Sequence, residues 1–129
     1  MKPIVSSWLT HLGMGLVAGA AIVFVDNCAF DGEVSPIIIV VLLVATTATA
    51  GAIWGRSGWK AAAATWVCVP MAHFVKHVFG LPDTLHPNTY SSILYLAAFT
   101  LVIAMAGTAS GFLVRRLATG LVTRDKWAA

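Results

Sequence analysis

Two histidines four residues apart, His73 and His77, are the first residues in this chain whose types and spacing suggest chemistry. On a helix their rings share a face about one turn apart, and with one carboxylate they could hold Zn²⁺ or Cu²⁺. Asp26, Asp31, Glu33, Asp83 and His86 fall in segments expected at the same depth. Lys76, however, lies between the two histidines, and an ammonium there competes for the same acid and repels a cation. The cluster is therefore read as an ion-pair site with no tightly bound metal, Asp26 or a loop acid being the partner expected for Lys76. Haem ligation by the pair fails on geometry, because axial ligands approach iron from opposite faces and residues four apart lie on one side. A haem or chlorophyll held by a single histidine, or shared with a partner chain, stays open, but no cofactor is expected.

His11 stands apart from that cluster, with Gly15 and Gly19 following at spacing four. Such a face packs closely against a neighbour, so His11 is expected to hydrogen-bond across to a serine or threonine, with a proton relay as the alternative reading. Cys28 and Cys68 lack metal-type spacing. They would lie about 10 Å apart in depth on helices rising 1.5 Å per residue, too far for a disulfide. Phosphate-binding, dinucleotide-binding, nucleophile-elbow and HExxH motifs are absent from the sequence, so the chain is read as a non-enzyme.

The elements that must position these groups follow from composition. Of 129 residues, 59% are hydrophobic and only 10% charged, with a mean hydropathy of +0.87. That is too little charge to cover a soluble domain of this size, so the class is membrane protein. The pI near 9.2 does not indicate nucleic-acid binding, because the basic residues sit at the ends of apolar runs, where topology explains them.

A spanning helix needs about 20 mostly apolar residues. Four stretches meet this: about 4–25, 36–54, 59–79 and 90–114, followed by a tail at 115–129. The first is read as a retained helix rather than a cleaved signal, because Ser6, Ser7, Thr10, His11 and several glycines interrupt the apolar core a signal needs. Ser35-Pro36 marks a helix start, Pro70 a kink, and Pro82 with Pro87 a turn.

Placing the N-terminus inside puts Lys2, Arg56, Lys60, Arg115, Arg116, Arg124 and Lys126 on the cytoplasmic side and leaves only Lys76 outside. Basic residues are retained on that side, so both termini are expected in the cytoplasm and the protein in the plasma membrane. The expected fold is an all-α membrane protein, a compact bundle of four transmembrane helices.

Lipid tails are as apolar as leucine, so such helices associate through close backbone approach at small residues. Gly15, Gly19, Gly51, Gly107 and Gly111 are the packing candidates. Thr49–Arg56 also parallels Ala109–Arg116, with Gly51 and Gly111 in register, which suggests two helical hairpins as an internal repeat. Thr46, Thr47, Thr49, Thr100 and Thr108 could line a polar path, although such hydroxyls commonly bond back to their own helix.

Three functions fit. The leading one is an accessory or structural subunit of a membrane complex, or a homo-oligomer, with lipid and other membrane chains as partners and no nucleic acid. The others are a small oligomeric transporter or channel, and a metal- or cofactor-binding redox protein using His73 and His77.

Overall fold

The computed structural model describes residues 4–28, 35–82 and 89–128, and it is all helix. Helix α1 spans Ile4–Cys28, α2 Pro36–Trp54, α3 Gly58–Val78 and α4 Tyr90–Ala128. Their boundaries have local causes. Ser35 is extended (φ −62°, ψ 133°), Pro36 takes the first helical position, and the Ile38 amide closes the first turn on the Ser35 carbonyl at 2.9 Å. Thr89 caps α4, its hydroxyl accepting from the Ser92 amide at 3.2 Å. At the end of α3, Gly80 is left-handed (φ 64°), the Leu81 amide reaches the Lys76 carbonyl at 2.8 Å, and the Gly80 amide the His77 carbonyl at 3.3 Å. That pattern is a Schellman stop. α3 itself stays helical through Pro70.

Three helical stretches, not four, are long and apolar enough to cross a membrane: Ser7–Cys28, Pro36–Val78 and Tyr90–Arg124. The four-helix reading separated 36–54 from 59–79, but no irregular segment lies between them. Gly55–Ser57 is a 3₁₀ turn that joins α2 to α3, so the middle stretch runs for 43 residues. It folds back on itself at Gly55, whose positive φ of 59° is open to glycine. A Cβ on Gly58 would lie 2.5 Å from the Ala50 carbonyl oxygen.

The stretch expected to follow the fourth helix as a tail, 115–129, is helical to Ala128. α4 continues to Ala128, giving 39 residues, about 58 Å at 1.5 Å per residue. Leucine, alanine and arginine carry the helix past Val114, and no proline stops it.

α1 and α2 hardly touch. α1 packs along α3 and α2 along α4, while α3 also meets α2 and α4. Within each close pair the helices are parallel: Gly15 lies by Ala61 and Gly19 by Cys68, Gly107 by Val44 and Gly111 by Ala48. The centre is filled by Ile22, Ile39, Leu43, Val69 and Ala104, to which every helix contributes.

All five glycines singled out from the sequence face a neighbouring helix. A Cβ on Gly19 would come within 2.8 Å of the Cys68 Cβ, and one on Gly15 within 2.7 Å of the Ala64 Cβ. Gly51 and Gly111 abut the backbone of the opposite helix, and Gly107 abuts the Thr47 hydroxyl. Close approach lets polar groups meet between helices. The Thr65 hydroxyl donates to the Gly15 carbonyl at 3.0 Å, and the Trp66 indole donates to the Ala97 carbonyl at 3.0 Å and the Thr100 hydroxyl at 3.1 Å.

Candidate functional site

The molecule has two ends. At one, Lys60 Nζ stands 4.5 Å from the Trp8 ring and Arg115 donates to the Ile53 carbonyl. At the other, Asp26 and His73 meet across the α1–α3 seam, and Tyr90 packs on Phe74 and His77.

Parallel packing of α1 on α3 brings Asp26 Oδ2 to 3.8 Å from His73 Nε2, both side chains being at least nine-tenths buried. That separation suits an ion pair and exceeds a direct hydrogen bond. His77 goes elsewhere: its ring lies edge-on to Tyr90, centroids 4.6 Å apart. The face shared by the two histidines is therefore divided between α1 and α4. Lys76 is half-buried between them in sequence. His86, Asp31, Glu33 and Asp83 lie outside the described residues. Among the described residues no three His, Cys, Asp or Glu side chains gather as metal ligands would, and a zinc site takes at least three protein ligands. Cys28 is exposed, Cys68 is half-buried against Gly19, and the two are unbridged.

His11 sits near the basic end, 5% exposed. Among the described residues no serine or threonine of another helix is hydrogen-bonded to it. Its Nδ1 instead faces the Ser7 carbonyl one turn back in α1. A carbonyl only accepts, so Nδ1 is the donor in that contact. Nε2 is buried and has no hydrogen-bond partner among the described residues, a situation that costs about 1–3 kcal/mol. The ring stacks at a tilt against Trp54, centroids 4.8 Å apart.

No family model, curated protein or solved structure matches this chain.

Its site must therefore be judged on geometry. The side of the molecule where α1 and α2 hardly touch is hollow. Gly15 and Ala18 of α1, Ala45, Ala50 and Trp54 of α2 and Ala61 of α3 line an open cavity of about 270 Å³. Small residues leave that space because none carries a side chain long enough to bridge it. The polar atoms around it are threonine hydroxyls: Thr46 donates to Leu42, Thr49 to Ala45 and Thr65 to Ala61, at 2.7–2.9 Å. Thr47, Thr100 and Thr108 likewise donate to carbonyls within their own helices. The threonines thus satisfy their hydroxyl protons internally, and what they offer a guest is lone pairs.

Sequence reasoning missed Trp54 and Trp66. A tryptophan in an apolar helix needs an acceptor for its N–H when buried, and that rule is the signal that would have found Trp66 as an interhelical tie. Nothing in the sequence paired His11 with Trp54, since that contact depends on α1 lying beside the end of α2.

Proposed function

We propose that this small all-α multi-pass membrane protein serves as a packing subunit, seated beside other membrane chains or copies of itself. The observation that carries the reading is the outward face of α4. Gly107 and Gly111 fit α4 against α2, yet Ala106, Ala109 and Ser110 on the other side are also small, and they are exposed. Ser110 donates inward to the Ala106 carbonyl at 2.8 Å, which leaves the face smooth. Beside it lies a hollow of about 180 Å³ framed by Trp59, Met105, Ala109 and Phe112. Lipid tails gain nothing from small residues, whereas a second helix gains close backbone contact. A helix that is small on both sides suits a position between two neighbours.

The accompanying orientation puts the end with Arg56, Lys60, Arg115 and Arg116 in the cytoplasm, together with both termini, because basic residues are retained there. The protein would then belong to the plasma membrane.

Blue-native electrophoresis in mild detergent tests the subunit reading. The wild type is expected to migrate as a complex, and Ala109→Trp, which fills the outward face without touching the inner seam, to migrate as a single chain. Wild-type protein migrating alone would refute the reading.

A further inference from the structure

We propose that the hollow between the start of α3 and α4 holds an anionic phospholipid. Its phosphate lies among the guanidinium groups of Arg56, Arg115 and Arg116, and an acyl chain lies against Trp59 and Met105. Arg56 lines the hollow itself. Arg115 lies against Gly55 of the same lining, where an added Cβ would stand 3.3 Å from its Nη1. The Arg116 guanidinium stands over Phe112, also of the lining, 5.5 Å from the ring centre. Three positive charges from two elements, the 3₁₀ turn and α4, thus gather at one end of one hollow. Among the described residues no carboxylate pairs with any of them. Arg115 gives an N–H to the Ile53 carbonyl, but a guanidinium has five, so all three keep donors for a phosphate.

The other end of the hollow is apolar. From Arg116 back to Met105, α4 rises about 16 Å, roughly half the thickness of the hydrocarbon core of a bilayer. The Thr108 hydroxyl, also in the lining, is turned to the Ala104 carbonyl at 2.8 Å. Trp59 is exposed beside the basic end, where an indole favours the headgroup level. Charge at one end and apolar surface at the other match a phospholipid. A free anion would gain nothing from Trp59 and Met105, and a hydrocarbon nothing from the arginines. Basic pockets between membrane helices at headgroup level recognise anionic lipids in this way, whereas a zwitterionic lipid brings its own cation toward the same charges. Of the outward face of α4 only Ala109 belongs to the lining, so the lipid site does not rest on the subunit reading.

Native mass spectrometry of the full-length protein tests the proposal. The protein is delipidated in mild detergent and titrated with phosphatidylglycerol or phosphatidylcholine of identical acyl chains, and bound lipid is counted per chain. Phosphatidylglycerol is expected to bind at least about tenfold more tightly. Arg56→Gln combined with Arg116→Gln should bring it down to the level of phosphatidylcholine. Arg124→Gln, which removes an exposed charge farther along α4, should change it by less than about twofold. In phosphatidylcholine nanodiscs, phosphatidylglycerol brominated on its acyl chains should quench Trp59, read as the difference between wild type and Trp59→Phe. Brominated phosphatidylcholine at the same mole fraction should quench it less. Equal affinity of the wild type for the two lipids would overturn the proposal, and that comparison requires no variant to fold. Displacement of the lipid by inorganic phosphate would also overturn it, by showing a site for a free anion. A loss in Arg124→Gln as large as in the double variant would do the same, by reducing the preference to net charge.

Discussion

Gly51 and Gly111 face each other's helices in matching register. Gly51 lies against the backbone at Thr108 and Phe112, and Gly111 against the backbone at Ala48 and Ala52. Thr108 and Phe112 stand sixty residues after Ala48 and Ala52, as Gly111 does after Gly51, so α2 and α4 meet as near-equivalent parallel partners about these two glycines.

This arrangement makes their substitution costly. Backbone carbonyls cannot rotate aside, so Gly51→Ala and Gly111→Ala should each destabilise the fold by about 1–3 kcal/mol. Gly13, with nothing within 4 Å of an added Cβ, should tolerate alanine or gain up to about 1 kcal/mol from helix propensity. Reversible unfolding in mixed detergent micelles distinguishes them; equal effects at Gly13 and Gly111 would contradict the close approach.

The tie between α3 and α4 through Trp66 is open to a similar measurement. Trp66→Phe keeps most of the ring but removes the donor to Ala97 and Thr100. Hydrogen bonds between membrane helices average about 0.6 kcal/mol and reach about 1.7, and the loss should fall in that range. Thr65→Val, removing the bond to Gly15 across the α1–α3 seam, should behave alike.

Asp26 and His73 should couple energetically. Replacing either alone by leucine leaves a buried polar partner, at about 1–3 kcal/mol. The double replacement should cost less than the sum of the two, because two apolar groups at the seam leave nothing unpaired. A double-mutant cycle reads this directly, and strict additivity would show that the pair does not interact.

Orientation can be checked with one native thiol. Cys28 is exposed at the end away from the basic cluster, so a membrane-impermeant maleimide should label it in intact cells. Ser57→Cys in a Cys28→Ser background should be labelled only after the membrane is opened. Labelling of Ser57→Cys from outside would reverse the proposed topology.

Composition and local chemistry determined much of this protein. The apolar runs specified helix and membrane, Ser35-Pro36 specified where α2 begins, and the placement of glycines indicated which faces would be narrow. These properties belong to single residues or to neighbours along one helix, and they can be read without knowing what lies beside it. The structure alone decided the rest. Whether 55–58 was a loop or a helical turn depended on α2 and α3 packing closely enough at Gly51 and Gly58 to hold Gly55 at positive φ. Which helices paired was equally hidden, since every helix carries a small-residue face and any two could have met. His73 and His77 share a helix face in sequence but meet Asp26 of α1 and Tyr90 of α4, and His11 meets Trp54 of α2 while its Nδ1 turns back to Ser7 of its own helix. Those partners belong to other helices, and only the packing of α1 on α3, of α4 on α3 and of α1 beside the end of α2 brings them within reach.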